Sequence, residues 1–412
     1  MVSPQGAIMP AQTSERPSAR QRANANGAAG AVRWNAPRLS SAERIAGQIR
    51  RNVVSVLDAP DAPAFDVNVA VIESIITASF WSGVRSKIYL LTSLEDLVQF
   101  PAVEGPKFLR RRHGSPVDID ELAKVEMDAA ARKKLAGCIE AAVFGPIIDQ
   151  LKYANQRDAV EWHVDMFAKA ARMELVEDRV SITLTHRPLT VDASDADDTV
   201  MADYREHFPE LDDVLAFIVA GRFALDRKKA YLWMQCASDW GKGLLLGALS
   251  DLGLVVQMST TEIEAAFDGK PVGRRPEDFK RAFVLAVDEF KSVKSELKQL
   301  QSEMWIAPKH QLTAKVDLYT KLFLSAENVA SLVSDHGVED QFANRMSIIT
   351  ASGNITARPM FDGDGGAYFR AIRAHIGSEI NRLVADYQRL GRHGAELRAS
   401  VFWPAPRSGA MF

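Results

Sequence analysis

The sequence predicts an α/β fold whose largest part is a doubly wound parallel sheet, and two observations support this. After Pro209, apolar runs of strand length alternate with segments of helical periodicity, which is typical of parallel strands joined by helices. The run at 282–287, Ala-Phe-Val-Leu-Ala-Val, is apolar throughout, as expected for a strand that is buried on both faces. The chain has 412 residues, long enough for about two or three domains.

Composition and charge exclude several functional classes. Hydrophobic residues make up 47% of the chain and charged residues 25%, values typical of globular proteins. The net charge of −3 excludes a protein that holds nucleic acid by bulk charge, so any such contact must be local. Two cysteines, Cys138 and Cys236, are too few for a disulfide framework or a cysteine-based zinc site. We therefore expect a cytoplasmic protein, with no apolar run long enough to span a membrane.

Two regions precede the predicted sheet. Residues 1–40 are basic and poor in branched apolar side chains, which predicts a disordered arm that either contacts nucleic acid or is simply solvated. Residues 41–200 predict a smaller α+β domain, to which we assign no chemistry. Its expected helices are 41–57, 119–143 and 158–176, and its expected strands are 87–91 and 180–184. The acidic run Asp192–Asp213 is interpreted as a solvated linker.

The core domain, residues 205–355, and a helical C-terminal segment, residues 356–412, complete the predicted organisation. The expected core strands are 230–236, 254–258, 282–287, 322–325 and 346–350. In the C-terminal segment a Gly-rich turn leads into a helix expected from about residue 367 to 390.

A candidate phosphate-binding loop follows the first core strand. A polar loop carrying Gly241-Lys242 lies between this strand and a helical segment, where backbone N–H groups and a lysine can surround phosphates. The candidate nucleotide contacts are Ser238, Asp239, Trp240, Gly241, Lys242, Gly243 and Leu244. The loop departs from the usual pattern at two positions, because Cys236 replaces the first glycine and Gly243 replaces the magnesium-binding Ser or Thr.

Carboxylates and other polar residues end the later core strands. The strand at 283–287 leads into Asp288, expected to hold Mg²⁺, and Glu289, expected to polarise the attacking water. Because parallel strands deliver their C-terminal residues to one crevice, both should lie near Lys242. Asn328, beyond the next strand, could contact the γ-phosphate. Arg345 could stabilise phosphoryl charge from a neighbouring subunit or form an ordinary surface salt bridge.

These elements in this order resemble superfamily 3 helicases, the AAA+ ATPases of DNA viruses, phages and plasmids. The similarity covers about residues 205–355 and is strongest to phage and prophage replication proteins of the primase-helicase or DUF5906 type. It implies an AAA+-like P-loop NTPase core in which Arg345 is the arginine finger. It also implies a hairpin at 304–316 that projects into the channel of a ring, with Lys309, His310 and Lys315 as candidate nucleic-acid contacts.

The resemblance implies an ATP- and Mg²⁺-dependent DNA helicase that forms a homo-oligomer, expected to be a hexamer. Single-stranded or forked DNA, and other replication proteins, would be its partners in the host cytoplasm. Because Gly243 lacks a hydroxyl, a second possibility is a nucleotide-binding replication initiator or scaffold that hydrolyses poorly. A third is a phage packaging or defence ATPase with the same core.

Residues 117–120, Val-Asp-Ile-Asp, superficially match a metal-binding carboxylate element of archaeo-eukaryotic primases. The preceding Gly-Ser-Pro and the helical pattern that follows favour a helix start with acidic residues in its first turn. We therefore assign no metal to these carboxylates.

Overall fold

The computed structural model of the chain describes residues 35–58, 64–288, 300, 302–308, 311–325 and 345–402, and side chains from residue 41 onward. Four predicted site residues, Glu289, Lys309, His310 and Asn328, lie outside the described residues, as does nearly all of the predicted N-terminal arm. The described residues fall into two compact units. The first unit lies within the ranges Met1–Ser79 and Phe100–Ala154. The second unit lies within Phe80–Gln99 and Asn155–Phe412.

The first unit is helical. Its helices are α1 (Asn35–Leu57), α2 (Val69–Ala78), α3 (Gly105–His113), α4 (Ile119–Leu122) and α5 (Ala129–Tyr153). Helix α5 packs against α1, which buries Ile45, Ile49 and Val53 at helical spacing. The prediction of a single helix over 119–143 is wrong. The Asp128 side chain accepts a hydrogen bond from Ala131 N and caps a new helix, α5, that begins at the next residue. Asp118 caps α4 in the same way, which confirms the helix start interpreted at residues 117–120.

The second unit contains the three sheets. The strands are β1 (Ser79–Ser82), β2 (Lys87–Leu91), β3 (Leu97–Phe100), β4 (Ala159–Asp165), β5 (Arg172–Leu175), β6 (Val180–Thr185), β7 (Tyr231–Cys236), β8 (Val255–Gln257), β9 (Pro271–Val272), β10 (Val284–Val287), β11 (Glu303–Pro308), β12 (Thr313–Asp317), β13 (Thr320–Ser325) and β14 (Met346–Ala351). The helices are α6 (Asp198–His207), α7 (Leu211–Phe223), α8 (Lys242–Asp251), α9 (Thr260–Phe267), α10 (Pro276–Lys280), α11 (Pro359–Gly363), α12 (Gly365–Arg389) and α13 (Gly391–Ser400). Within the described ranges, no helix is both long and apolar enough to cross a membrane.

The five core strands form one parallel sheet in the order β14-β7-β13-β10-β8. All five were predicted, and the α/β fold with a P-loop-like core is confirmed. After β7 the chain crosses to the edge strand β8 and returns through β10 and β13 to the neighbour of β7. The C-terminal end of β7 therefore lies at the switch point of the sheet, where α/β proteins bind ligands.

A second sheet crosses the domain boundary that the sequence predicts near residue 200. Its order is β5-β6-β4-β12-β11-β9, and β4 pairs in parallel with β12, so that Glu161 lies opposite Lys315. The prediction of a helix over 158–176 is wrong, because strands β4 and β5 occupy this range. In β4 the buried Val160 and Trp162 alternate with more polar residues, a period of two that belongs to a strand.

Helices cover the parallel sheet, and α12 packs against α6, α7 and α8. The helix expected over about 367–390 is confirmed as α12. The interpretation of the acidic run as a solvated linker is wrong, because the run spans α6 and the first turn of α7. Asp203 in α6 pairs with Arg358 at 2.7 Å and accepts a hydrogen bond from the Tyr368 hydroxyl at 2.9 Å. Asp203 is thus part of a packed contact between α6 and the C-terminal segment rather than of a solvated linker.

Candidate nucleotide-binding site

A tight turn connects β7 to α8 at the switch point. Gly241, the last residue before α8, has a φ of +102°, a conformation that side-chain-bearing residues rarely adopt. A Cβ at this position would lie 3.2 Å from Ile355, so the space also requires glycine. The Ile355 N–H donates to the Asp239 carbonyl at 2.9 Å. The turn is therefore fixed against the segment that follows β14.

The buried side chain of Trp240 holds the loop against the protein core. Its side chain is 1% exposed and packs edge-to-face on Phe208, with ring centroids 4.9 Å apart. His207 stacks on the indole and donates from Nε2 to the Trp240 carbonyl at 2.7 Å. The indole ring, predicted as part of the nucleotide contact set, thus faces the core, and only the Trp240 backbone is available to a ligand.

The backbone around Lys242 is suited to phosphate. Within the described part of the chain, the N–H groups of Gly241, Lys242 and Gly243 donate to no protein acceptor. No side chain caps the N-terminus of α8, where the helix dipole favours an anion. Ser238 and Asp239 are exposed beside these groups. The turn can therefore receive a phosphate without breaking an existing hydrogen bond.

Lys242 and Asp288 meet above the C-terminal edge of the sheet. The Lys242 Nζ lies 3.2 Å from Asp288 Oδ1, although β13 separates their two strands in the sheet. The Lys242 side chain is 16% exposed and that of Asp288 is 42% exposed, so the pair faces the crevice. These two residues, predicted from separate motifs, are in direct contact.

The two departures from the usual loop pattern have separate structural consequences. Cys236 is buried, has no positive φ, and needs none of the conformational freedom of the glycine that it replaces. Burial raises the pKa of its thiol to about 12, so the group is uncharged at neutral pH. Gly243 is exposed, and a Cβ there would meet nothing within 4 Å. The loop lacks the hydroxyl but has room for one.

The described residues of the crevice offer few metal ligands. Among the residues described, no group of three or more His, Cys, Asp or Glu side chains could hold a metal ion. Asp288 is an exposed carboxylate at the strand end and suits Mg²⁺ that also binds phosphate oxygens and water. The residues thus fit a metal carried by the nucleotide rather than one held by the protein alone.

The neighbouring strand β13 ends in Ser325, whose hydroxyl accepts a hydrogen bond from Trp233 Nε1 at 2.9 Å. This bond joins β13 to β7, the strand that precedes the loop. The contact ties the C-terminal end of β13 to the middle of β7, and both strands lead to the crevice. Asn328, three residues later, is outside the described residues.

Arg345 lies at the opposite edge of the sheet from Lys242. It directly precedes Met346, which pairs with Tyr231 at the beginning of β7, whereas the loop follows the other end of β7. Five residue steps of parallel strand separate the two edges by about 16 Å. An arginine side chain cannot cover this distance, so Arg345 does not belong to the same nucleotide crevice.

The hairpin predicted at 304–316 is present. Strands β11 and β12 are antiparallel, with Trp305 opposite Lys315. Lys315 lies within β12, and its Nζ is 2.8 Å from Glu161 and 2.7 Å from Glu303. The Lys315 ammonium is therefore neutralised by two carboxylates and differs from a cation presented at a hairpin turn.

Glu161 lies at the centre of a charged network outside the crevice. It is 6% exposed and also pairs with Arg179 at 2.7 Å. Burial opposes its ionisation, but hydrogen bonds from Lys315 and Arg179 outweigh this effect and lower its pKa. His163 hydrogen-bonds Asp317 at 3.0 Å, and this bond raises the His163 pKa above its usual value.

Four residues behind the loop are not predicted from the sequence: His207, Gly353, Ile355, and Arg358, which holds α6 through Asp203. Gly353 has a φ of +110° where its backbone passes the His207 ring. These residues come from α6 and from the segment after β14, far from the loop in sequence. No local pattern marks them, because their role arises only when the two segments meet.

The chain matches no protein-family profile and no curated protein sequence. It is similar to the solved A form apo structure of the NrS-1 C-terminal region, with a TM-score of 0.42 and 9% identity over 75% of this chain and 71% of that chain. A second apo structure of that region gives a TM-score of 0.41 at 10% identity, covering 74% and 68%. The JCV helicase gives 0.28 at 13% identity, covering 50% and 66%. At these values the comparisons do not identify a family.

Proposed function

We propose that this chain is an ATP-dependent DNA helicase or translocase that acts as a ring of identical subunits, expected to be a hexamer. The observation that supports this best is the contact between Lys242 and Asp288 at the switch point of a parallel sheet. A lysine at a helix N-terminus and a carboxylate at a strand end are the two protein groups that a magnesium–nucleotide complex requires together.

The crevice residues would divide the work of binding and hydrolysis. Lys242 and the free N–H groups of the loop would bind the phosphates, and Asp288 would hold Mg²⁺, which supplies charge neutralisation at the transferring phosphoryl group. Glu289 would accept a proton from the attacking water, and Asn328 would hydrogen-bond the γ-phosphate. Both assignments follow from sequence position: Glu289 comes next after Asp288 at the end of β10, and Asn328 comes three residues after β13.

The role proposed for Arg345 requires assembly into a ring. Because it lies about 16 Å along the sheet from its own nucleotide loop, it can serve phosphoryl transfer only at the crevice of a neighbouring subunit. A closed ring gives every subunit one such neighbour. The arginine would then couple hydrolysis in one subunit to the position of the next.

DNA would be held at the connection between β11 and β12. Lys309 and His310 belong to this connection, and several copies in a ring would concentrate positive charge although the chain has a net charge of −3. Lys315 is left out of the proposed contacts because Glu161 and Glu303 already neutralise it.

Unwinding of a forked DNA duplex tests the proposal. We expect wild-type protein to separate the strands with ATP and Mg²⁺ but not with a non-hydrolysable ATP analogue. The double variant Lys309→Ala, His310→Ala should lose unwinding and keep basal ATP hydrolysis. Lys270→Ala, which removes an exposed lysine whose one ion pair among the described residues is with Asp268, is the matched control and should unwind normally. Unwinding that persists in the double variant would contradict the DNA-tracking role.

A second candidate function is a nucleotide-binding initiator or scaffold that hydrolyses poorly. Gly243 favours it, because the loop offers no hydroxyl ligand to Mg²⁺. In that case ATP would bind with a measurable dissociation constant, while residual turnover would not change in Glu289→Gln. A loss of turnover in Glu289→Gln favours the helicase.

A further inference from the structure

Helix α3 in the first unit carries an exposed cationic surface that the nucleotide site does not involve. Its sequence, Gly-Pro-Lys-Phe-Leu-Arg-Arg-Arg-His, contains no acidic residue. We define the α3 basic face as Lys107, Phe108, Arg111 and Arg112, all of which are exposed, whereas Leu109 on the other side of the helix is fully buried. The helix is therefore held by one side and presents the other to solvent.

The basic residues of α3 divide into those that have structural partners and those that do not. Arg110 pairs with Asp120 at 2.8 Å and Glu140 at 3.5 Å, and His113 hydrogen-bonds Ser74 at 3.0 Å. Lys107, Arg111 and Arg112 form no ion pair with any residue that the structure describes. Arg111 and Arg112 share the last turn with Arg110 and His113, where cations also stabilise the helix dipole, but this interaction leaves their guanidinium groups exposed to solvent. Lys107, Arg111 and Arg112 remain available to a ligand.

Phe108 adds an aromatic group to the same face. Its side chain remains 37% exposed while the ring stacks on Phe100, with centroids 4.9 Å apart. The stacking fixes the ring on the helix face that carries the three cations. Guanidinium groups bind phosphates in a bidentate way, and a fixed aromatic ring can stack on a base.

We infer that the α3 basic face binds the backbone of single-stranded nucleic acid, with Lys107, Arg111 and Arg112 on phosphates and Phe108 against a base. A lipid surface fits less well, because a membrane-binding helix needs a broad apolar face and α3 exposes one aromatic ring among three cations. This site would anchor a strand independently of ATP and of the hairpin.

The test is the affinity of the full chain for a fluorescein-labelled single-stranded oligonucleotide, measured by anisotropy without nucleotide over a range of salt concentrations. We expect Lys107→Gln, Arg111→Gln, Arg112→Gln to weaken binding about 10- to 100-fold at low salt and to reduce the slope of log affinity against log salt by about 2, because each single-strand phosphate contact contributes about 0.7. Glutamine keeps helix propensity, so the variant should retain the wild-type melting temperature.

Two controls make the result specific. Lys169→Gln, Lys228→Gln, Lys229→Gln removes the same charge from exposed sites of the second unit and should leave affinity within about twofold. Arg111→Lys, Arg112→Lys keeps the charge and should retain the wild-type salt slope. Lys242→Ala should bind the oligonucleotide normally, so that failure of ATP hydrolysis and failure of this site can be distinguished.

Three results would overturn the inference. They are unchanged affinity in the α3 variant, an equal loss in the control triple variant, and binding of the α3 face to phosphatidylserine vesicles in preference to the oligonucleotide.

Discussion

Lys242 Nζ and Asp288 Oδ1 are 3.2 Å apart, so each offsets the charge of the other at the mouth of the crevice. A bound triphosphate would offer Lys242 a stronger anionic partner and would bring the cation that Asp288 needs. The pair therefore couples nucleotide binding to the position of Asp288. Changing Asp288 should therefore separate nucleotide binding from turnover.

Asp288→Asn should bind ATP but fail to hydrolyse it. The amide removes the negative charge next to Lys242, so affinity for nucleotide without Mg²⁺ should stay equal or increase. Turnover should fall about 100-fold or more, because the Mg²⁺ ligand is lost. Fluorescent-nucleotide titration and steady-state ATPase assays measure the two effects. Loss of nucleotide binding with normal stability would show that Asp288 has another role.

Gly243→Thr should increase ATP hydrolysis. A Cβ at this position meets nothing within 4 Å, so a threonine fits and can offer the missing hydroxyl to Mg²⁺. We expect a several-fold rise in turnover and a lower Mg²⁺ requirement, with stability unchanged or increased by about 0.5 kcal/mol because glycine disfavours helices. Gly243→Ala is the matched control, since it fills the same space without a hydroxyl. Equal activity in both variants would argue against a metal-ligand position.

Lys315→Met should lower stability without affecting DNA binding. The substitution removes the ammonium between Glu161 and Glu303 and leaves Glu161, which is 6% exposed, with one partner fewer. We expect a loss of about 2 kcal/mol in the free energy of unfolding in denaturant. Lys270→Met, at an exposed pair, should lose about 0.5 kcal/mol or less. A tenfold drop in DNA affinity at unchanged stability would restore Lys315 as a nucleic-acid contact.

His163 should make stability depend on pH. Its hydrogen bond to Asp317 raises its pKa in the folded chain, and the charges that face it are Asp317, Glu161 and Lys315. A raised folded pKa gives stability that is complete below about pH 6.5 and is lost as pH rises through the folded value. We therefore expect the unfolding free energy of wild type to exceed that of His163→Gln by about 1 kcal/mol or less at pH 6. The excess should disappear by about pH 9, and an excess that grows with pH would contradict the assignment.

Local patterns in the sequence were enough to predict the parallel sheet and the loop. Each core strand is a continuous apolar run. Asp288 directly follows one of these runs and Lys242 follows the loop after another, so burial and strand direction bring them to one edge. The hairpin of β11 and β12 could also be predicted from local sequence, because its two strands are close together in the chain.

Long-range pairing could not be predicted in this way. The sequence predicts a helix over 158–176 although β4 has a period of two, because its partner β12 lies far along the chain. The same pairing explains why Lys315 was assigned to DNA, since its partner Glu161 belongs to β4. Trp240 was placed among the nucleotide contacts because nothing in the loop sequence reveals that His207 and Phe208 cover its ring.

The most direct test of the central claim is the steady-state ATPase activity of wild type, Lys242→Ala and Lys270→Ala, with and without single-stranded DNA. We expect DNA to stimulate wild type and Lys270→Ala equally. Lys242→Ala should lose about 100-fold or more in kcat/KM, because the phosphates lose their only crevice ammonium among the described residues. Hydrolysis by Lys242→Ala at the wild-type rate would contradict the proposed nucleotide site.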